Sequence, residues 1–156
     1  MTTAGTYQVT VSGRVALSAT ERTLLRKAVK AALRAHGVPR AKIGLRLVSD
    51  DEMATMNRKH LNHEGPTDVL TFDLREEEAN ADLEGEIALS VDTARREGES
   101  FGHGFEAELA LYAVHGVLHL LSYRDDGKEA AAAMHVMEDQ ILESIGLGAI
   151  YASLRR

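Results

Sequence analysis

His115-Gly116-Val117-Leu118-His119-Leu120-Leu121-Ser122-Tyr123-Arg124-Asp125-Asp126 is the stretch from which the rest of the chain is read. Residues four apart on an α-helix face the same way, with Cβ atoms about 5–6 Å apart, so both imidazoles can reach one metal ion. Leu109, Leu111, Val114, Val117, Leu118, Leu120 and Leu121 make this helix apolar on most sides, the pattern of a central core helix. Ser122, Tyr123 and a polar run then require it to stop. A carboxylate from Asp125 or Asp126 could fold back as a third ligand, leaving one coordination position for water, which separates a catalytic site from a structural one. The plain alternative is a pair of buried, neutral, hydrogen-bonded histidines. Gly116 adds a hint: a glycine inside a helix costs about 1 kcal/mol against alanine, so it marks close approach of another backbone or a ligand. It also stands where an H-E-x-x-H metalloprotease keeps its general-base glutamate, which excludes that class.

At 156 residues, 44% apolar and 27% charged, the chain suits a single globular domain over 1–156. There is no cysteine, so any metal must be held by His and Asp/Glu. The longest apolar run, Leu109 to Leu121, has 13 residues. At about 1.5 Å per residue it cannot cross a hydrocarbon layer of roughly 30 Å. With no signal-type run in Met1–Gly13, a cytoplasmic protein without a membrane partner is expected. The net charge of −6 hides an asymmetry. Residues 1–46 hold nine Lys/Arg against the one acid Glu21, a net +8, which leaves −14 on the other 110 residues. A basic lobe on an acidic body attracts a polyanion locally; a solvated helix face is the competing account.

Tyr7 to Val15 alternates and reads as a strand. Ser18-Ala19-Thr20-Glu21 is a capping box, opening a helix that runs to about His36 and ends at Gly37. Its Arg22, Arg26, Lys30 and Arg34 recur at i+4 as a basic ridge. Ile43–Val48 is a second strand, after which Asp50 caps a short helix with Met53 and Met56. Asn57–Pro66 reads as a polar surface loop, Val69–Leu74 as a third strand, Glu76–Glu84 as an acidic connection, and Glu86–Val91 as a fourth strand. Asp92 caps a helix from Thr93 to about Glu99, and Gly102-His103-Gly104 breaks the chain before the histidine helix. A last helix runs from about Lys128 to Ile145, with Met134, Val136, Met137, Ile141 and Leu142 buried. Mixed α and β elements around a small sheet follow: an α/β (α+β) fold with a four-stranded mixed sheet and about five helices.

The segment His115–Asp125 resembles the H-G-x-L-H-L-x-G-Y-D-H hallmark of the YbeY family of bacterial metal-dependent endoribonucleases. Pro66-Thr67-Asp68-Val69-Leu70-Thr71-Phe72 is similar to the family's P-T-D-V-L-S-F, and Leu83–Ser90 to its G-D/E-I strand. The three blocks are in order and in register, and the likeness extends from about Val9 to Leu147. It implies a small sheet covered by helices, a zinc-type site of three histidines, and a role in ribosomal RNA maturation and ribosome quality control. The chain departs from the pattern at three points. Asp125 replaces the third histidine, with Asp126 its substitute if the register is Y-D-D-H. Leu61 stands where the family has an arginine associated with RNA cleavage. Ser122 replaces a glycine.

His115, His119 and Asp125 (or Asp126) are therefore expected to hold one divalent ion, zinc foremost, with no small-molecule cofactor. Two histidines and a carboxylate make a harder, less zinc-selective set than three histidines. The proton acceptor is unassigned, with Asp68 and Glu86 as candidates that have structural roles as their plain alternative. Single-stranded RNA, ribosomal RNA and ribosomal subunits are the expected partners. Arg22, Arg26, Lys30 and Arg34 would track the phosphate backbone, and Arg58, Lys59 or His63 would supply the charge missing at Leu61. Four Tyr and three Phe allow little base stacking. The alternative, motivated by Leu61 and Asp125, is a non-catalytic ribosome-assembly factor that binds ribosomal RNA. A metal-dependent hydrolase of peptides or small esters is a third reading, which the basic lobe disfavours.

Overall fold

Period-two alternation builds four strands: β1 (Thr6–Gly13), β2 (Arg40–Val48), β3 (Val69–Asp73) and β4 (Leu83–Ser90). The computed structural model describes residues 5–61, 68–75, 82–124 and 126–148, with backbone alone at 60 and 61. The strands form one sheet in the order β1-β2-β4-β3. β1, β2 and β4 are parallel, and β3 is antiparallel to β4, so the sheet is mixed as expected. Five helices accompany it: α1 (Ala19–Ala35), α2 (Asp50–Leu61), α3 (Val91–Phe101), α4 (Phe105–Leu120) and α5 (Lys128–Ser144).

Register fixes which residues share a face. Tyr7, Val9 and Val11 align with Ala41, Ile43 and Leu45, and these with Leu83, Gly85 and Ile87. That face packs with α1, α4 and α5 into the main core, which includes Leu25, Val29, Leu33, Leu109, Val117, Leu118 and Ile141. The opposite face carries Lys42, Arg46, Glu84 and Glu86. At its far end Val48, Leu70 and Ala88 form a smaller cluster with Met53 of α2.

Several element ends differ from the sequence reading, each for a local reason. α2 continues through Asn57 to Leu61, where a loop was expected. Asn57 is buried one turn after Met53 while Arg58 and Lys59 are exposed, so the polar run is a helix's solvent face. Ser49, not Asp50, caps α2: its Oγ accepts the Glu52 N–H at 3.2 Å and the Glu52 carboxylate accepts the Ser49 N–H at 3.3 Å. Ser90, not Asp92, caps α3 by accepting the Thr93 N–H at 3.2 Å. The two aspartates instead join the helix starts. Asp92 accepts the Asp50 N–H at 2.9 Å, and the Asp50 carboxylate accepts from Ser90, Thr93 and Arg96. Val136 is 57% exposed rather than buried; it lies about 200° around α5 from Met134, at 100° per residue. Residues 76–81 of the acidic connection lie outside the described residues.

Candidate metal centre at the end of helix α4

α4 is the central helix. Twelve of its sixteen residues are buried. From Ala107 onward, His115 and His119 are the two positions that are not fully buried, so an otherwise dry helix opens to solvent at the imidazoles. Gly116 sits between them against the sheet. A Cβ there would come within 2.5 Å of Ile87 Cγ2. The close approach signalled by this glycine is thus to a side chain of β4, not to another backbone or a ligand.

The helix ends in a Schellman motif. The Ser122 N–H bonds to the His119 carbonyl at 3.0 Å and the Tyr123 N–H to the Leu118 carbonyl at 2.9 Å. Ser122 occupies the left-handed position at φ 75°, where α1 and α5, closed in the same way, place Gly37 and Gly146. Tyr123 is held from a distant part of the chain: its hydroxyl donates to His36 Nε2 at 2.8 Å, while His36 Nδ1–H donates to the Ala32 carbonyl at 2.9 Å. α1 and α4 therefore end together.

The two imidazoles meet edge to face, with ring centroids 4.5 Å apart and Nε2 atoms 3.0 Å apart. Their outer nitrogens are committed. His115 Nδ1–H donates to Glu138 Oε2 at 2.6 Å, and His119 Nδ1–H donates to the Tyr123 carbonyl at 3.2 Å. A carboxylate and a carbonyl accept only, so both ring hydrogens belong on Nδ1. In neutral rings that leaves two Nε2 lone pairs facing each other at contact distance, an arrangement that calls for a positive charge between or beside them. Nitrogens bound to one tetrahedral zinc at about 2.0–2.1 Å stand about 3.3–3.4 Å apart, a small opening from 3.0 Å. The pair fits a divalent cation.

Glu138 and its second partner were not legible in the sequence. Glu138 is 1% exposed, and its Oε1 accepts from His135 Nδ1–H at 2.6 Å. A similar pair, His103 Nε2 to Glu108 Oε1 at 2.6 Å, is buried at the start of α4. Arg75 was also missed: it pairs with Asp73 at 2.5 Å and reaches the Leu120 carbonyl at 3.5 Å, placing positive charge at the C-terminal end of α4.

The remaining candidates are scattered. Asp125 lies outside the described residues. Asp126 is exposed and paired with Arg124, whose guanidinium holds its carboxyl below the ordinary range. Among the described residues no group of three His, Cys, Asp or Glu is placed to hold a metal. Glu86 leaves β4 on the face away from α4, because its neighbours Gly85 and Ile87 are the ones that meet Leu120 and Gly116. That geometry removes it as a proton acceptor at the histidines. Asp68 precedes β3; its charge, after burial, contributes to raising the phenol of Tyr112, one turn before His115. Arg22, Arg26, Lys30 and Arg34 all lie on α1. Arg26 Nε donates to the Val9 carbonyl at 3.4 Å, and Arg34 lies over the Tyr7 ring at 5.9 Å. Arg58 and Lys59 ride on α2, which packs on the opposite sheet face, so they do not extend this ridge. The Leu61 side chain and His63 lie outside what is described.

This architecture has solved counterparts. The solution structure of TM1509 from Thermotoga maritima superposes with a TM-score of 0.59 over 88% of this chain and 91% of that one, at 23% identity, and shares the fold. The endoribonuclease YbeY of Moorella thermoacetica is 41% identical over 133 residues, covering 79% of this chain and 85% of its own length. The endoribonuclease YbeY of Bacillus subtilis is 34% identical over 117 residues, covering 69% and 74%. The family model described as endoribonuclease YbeY matches residues 10–146. With that match spanning nearly the whole described core, the chain belongs to the YbeY family of endoribonucleases.

Proposed function

We propose that this protein is a metal-dependent endoribonuclease, specific for single strands, that acts in ribosomal RNA maturation and ribosome quality control in the cytoplasm. The observation that carries the reading is the pair of Nε2 atoms 3.0 Å apart, with both Nδ1 atoms engaged by Glu138 and the Tyr123 carbonyl. His115 and His119 would hold one divalent ion, zinc foremost, with Asp125 as third ligand and Asp126 as the alternative. Such an ion supplies Lewis acidity toward a phosphate oxygen and lowers the pKa of bound water toward neutrality.

The chain's own residues do the rest. Glu138 and the Tyr123 carbonyl orient the two rings and fix their tautomers. The basic ridge of α1 ends at Arg34, two residues before His36, whose ring grips Tyr123. A phosphate backbone lying along Arg22, Arg26, Lys30 and Arg34 would thus be led toward the histidines without its bases being read. Asp68 is the remaining acceptor candidate. No apolar helix among the described residues is long enough to cross a membrane, and ribosomal subunits are the partners proposed.

The intact, paired imidazoles favour a catalytic protein over an RNA-binding factor that has lost its chemistry. Elemental analysis of purified wild type beside His115→Ala, Asp125→Asn and Asp126→Asn tests the metal. Near-stoichiometric metal in wild type and in one aspartate variant is expected, with loss in the other two. Cleavage of one single-stranded RNA by wild type and His119→Ala tests the chemistry, and equal rates would refute it.

A further inference from the structure

We propose that His135 is a positioning residue of the metal centre, acting on His115 through the carboxylate of Glu138; the proposal rests on the metal-binding reading above. Glu138 is 1% exposed, and each of its oxygens has one imidazole N–H donor at 2.6 Å, His115 on Oε2 and His135 on Oε1. The two histidines come from different helices, α4 and α5, and Glu138 joins them. His135 lies three residues before Glu138 on α5, so one helical turn presents both groups to α4.

The physical need for His135 lies in the last torsion of glutamate. Rotation about the terminal bond of this side chain has a broad, roughly two-fold profile. One hydrogen bond from His115 leaves the carboxylate plane weakly held. A second donor on the other oxygen fixes the plane, and with it the direction in which Oε2 meets His115 Nδ1. The same two donors compensate a buried carboxylate for the water it has lost. With the carboxylate fixed, the His115 ring keeps its hydrogen on Nδ1 and aims the Nε2 lone pair at the one on His119. The side chain of His135 is 22% exposed, so its removal opens little of the core.

The test is the zinc dissociation constant of the full chain, measured by competition with a chromogenic chelator, alongside the thermal midpoint of the metal-free protein. His135→Ala is expected to weaken zinc binding about 10-fold, the lower end of the usual range for outer partners of metal ligands. His135→Asn, whose amide nitrogen donates from nearly the position of Nδ1, should return to within about three-fold of wild type. Glu138→Gln should lose at least as much as His135→Ala, because an amide oxygen can take only one of the two donors' places. Metal-free His135→Ala should melt several degrees below wild type, because Glu138 Oε1 loses its donor, and His135→Asn should recover that loss. An affinity of His135→Ala within two-fold of wild type overturns the proposal, as does failure of asparagine to restore it. In either case wild type still binds zinc, and the metal-binding reading stands. A wild-type protein that binds no zinc overturns that reading and this one together.

Discussion

Replacing Gly116 by alanine sets two effects of opposite sign against each other. In a helix interior alanine is favoured over glycine by about 1 kcal/mol, so a Gly116 with open space around it would make Gly116→Ala stabilising. The structure predicts the reverse. The new Cβ would lie 2.5 Å from Cγ2, 3.0 Å from Cδ1 and 3.2 Å from Cγ1 of Ile87, which is fully buried. Relaxed carbon contacts fall at about 3.5–4.0 Å, so α4 and β4 must separate by roughly 1 Å or Ile87 must leave its rotamer. Overpacking of this kind costs about 1–3 kcal/mol. The net expectation is destabilisation by up to about 2 kcal/mol. A double-mutant cycle isolates the cause. Ile87→Ala alone should cost about 2–5 kcal/mol, but in that background Gly116→Ala should stabilise, giving a coupling of about 1–3 kcal/mol. Urea denaturation followed by far-UV circular dichroism reads all four proteins, with unchanged m-values required for the comparison. A single Gly116→Ala variant that gains about 1 kcal/mol, or a cycle with no coupling, would refute the packing account.

Ser122→Gly should stabilise the protein by about 0.5–1 kcal/mol, because a left-handed residue with a Cβ costs about 1–2 kcal/mol and the extra unfolded-state freedom of glycine returns part of that; the thermal midpoint should rise by a few degrees. Asp50→Asn should cost up to about 1 kcal/mol at pH 7, given the partly exposed Arg96 pair. Since the Arg96 hydrogen bond lowers the folded carboxyl's pKa, this stability is present above the ordinary value of 3.8 and is lost as pH falls through the depressed one; the gap between wild type and variant should close in acid, and a constant gap would contradict the assignment. Alanine at Arg22 and Lys30 should weaken single-stranded RNA binding to a similar degree across sequences and flatten its dependence on salt. Binding that ignores salt would rule out backbone tracking by α1.

The parts of this molecule that were legible from the sequence are those encoded locally. Ser18 and Glu21 announce α1, and the structure shows both hydrogen bonds of the capping box, at 3.1 and 2.8 Å. The alternation of Tyr7, Val9 and Val11 marks β1, and the i+4 spacing of His115 and His119 is enough to bring their rings together. What escaped depends on partners remote in the chain. Glu138 lies 23 residues from His115, and His36 lies 87 residues from Tyr123, so no spacing rule links them. The sequence suggests a shorter α2 because Arg58 and Lys59 resemble a loop until Met53 shows which side is buried. Asp50 and Asp92 look like caps by type, yet Ser49 and Ser90 hold those positions and free both carboxylates for contacts between helices. For Asp125, the likeness to relatives remains the basis of its assignment.

The burial of α4 bears on how long the imidazole pair survives thermal fluctuation. Amide hydrogens in a helix so enclosed exchange with deuterium only when the whole molecule opens, whereas frayed ends and surface turns exchange through small local excursions. The backbone under His115, more than a turn from the end of α4, is therefore expected in the slowest-exchanging unit of the protein. Deuterium exchange at the His115 amide should then track global unfolding, tying the persistence of its half of the site to that of the native state.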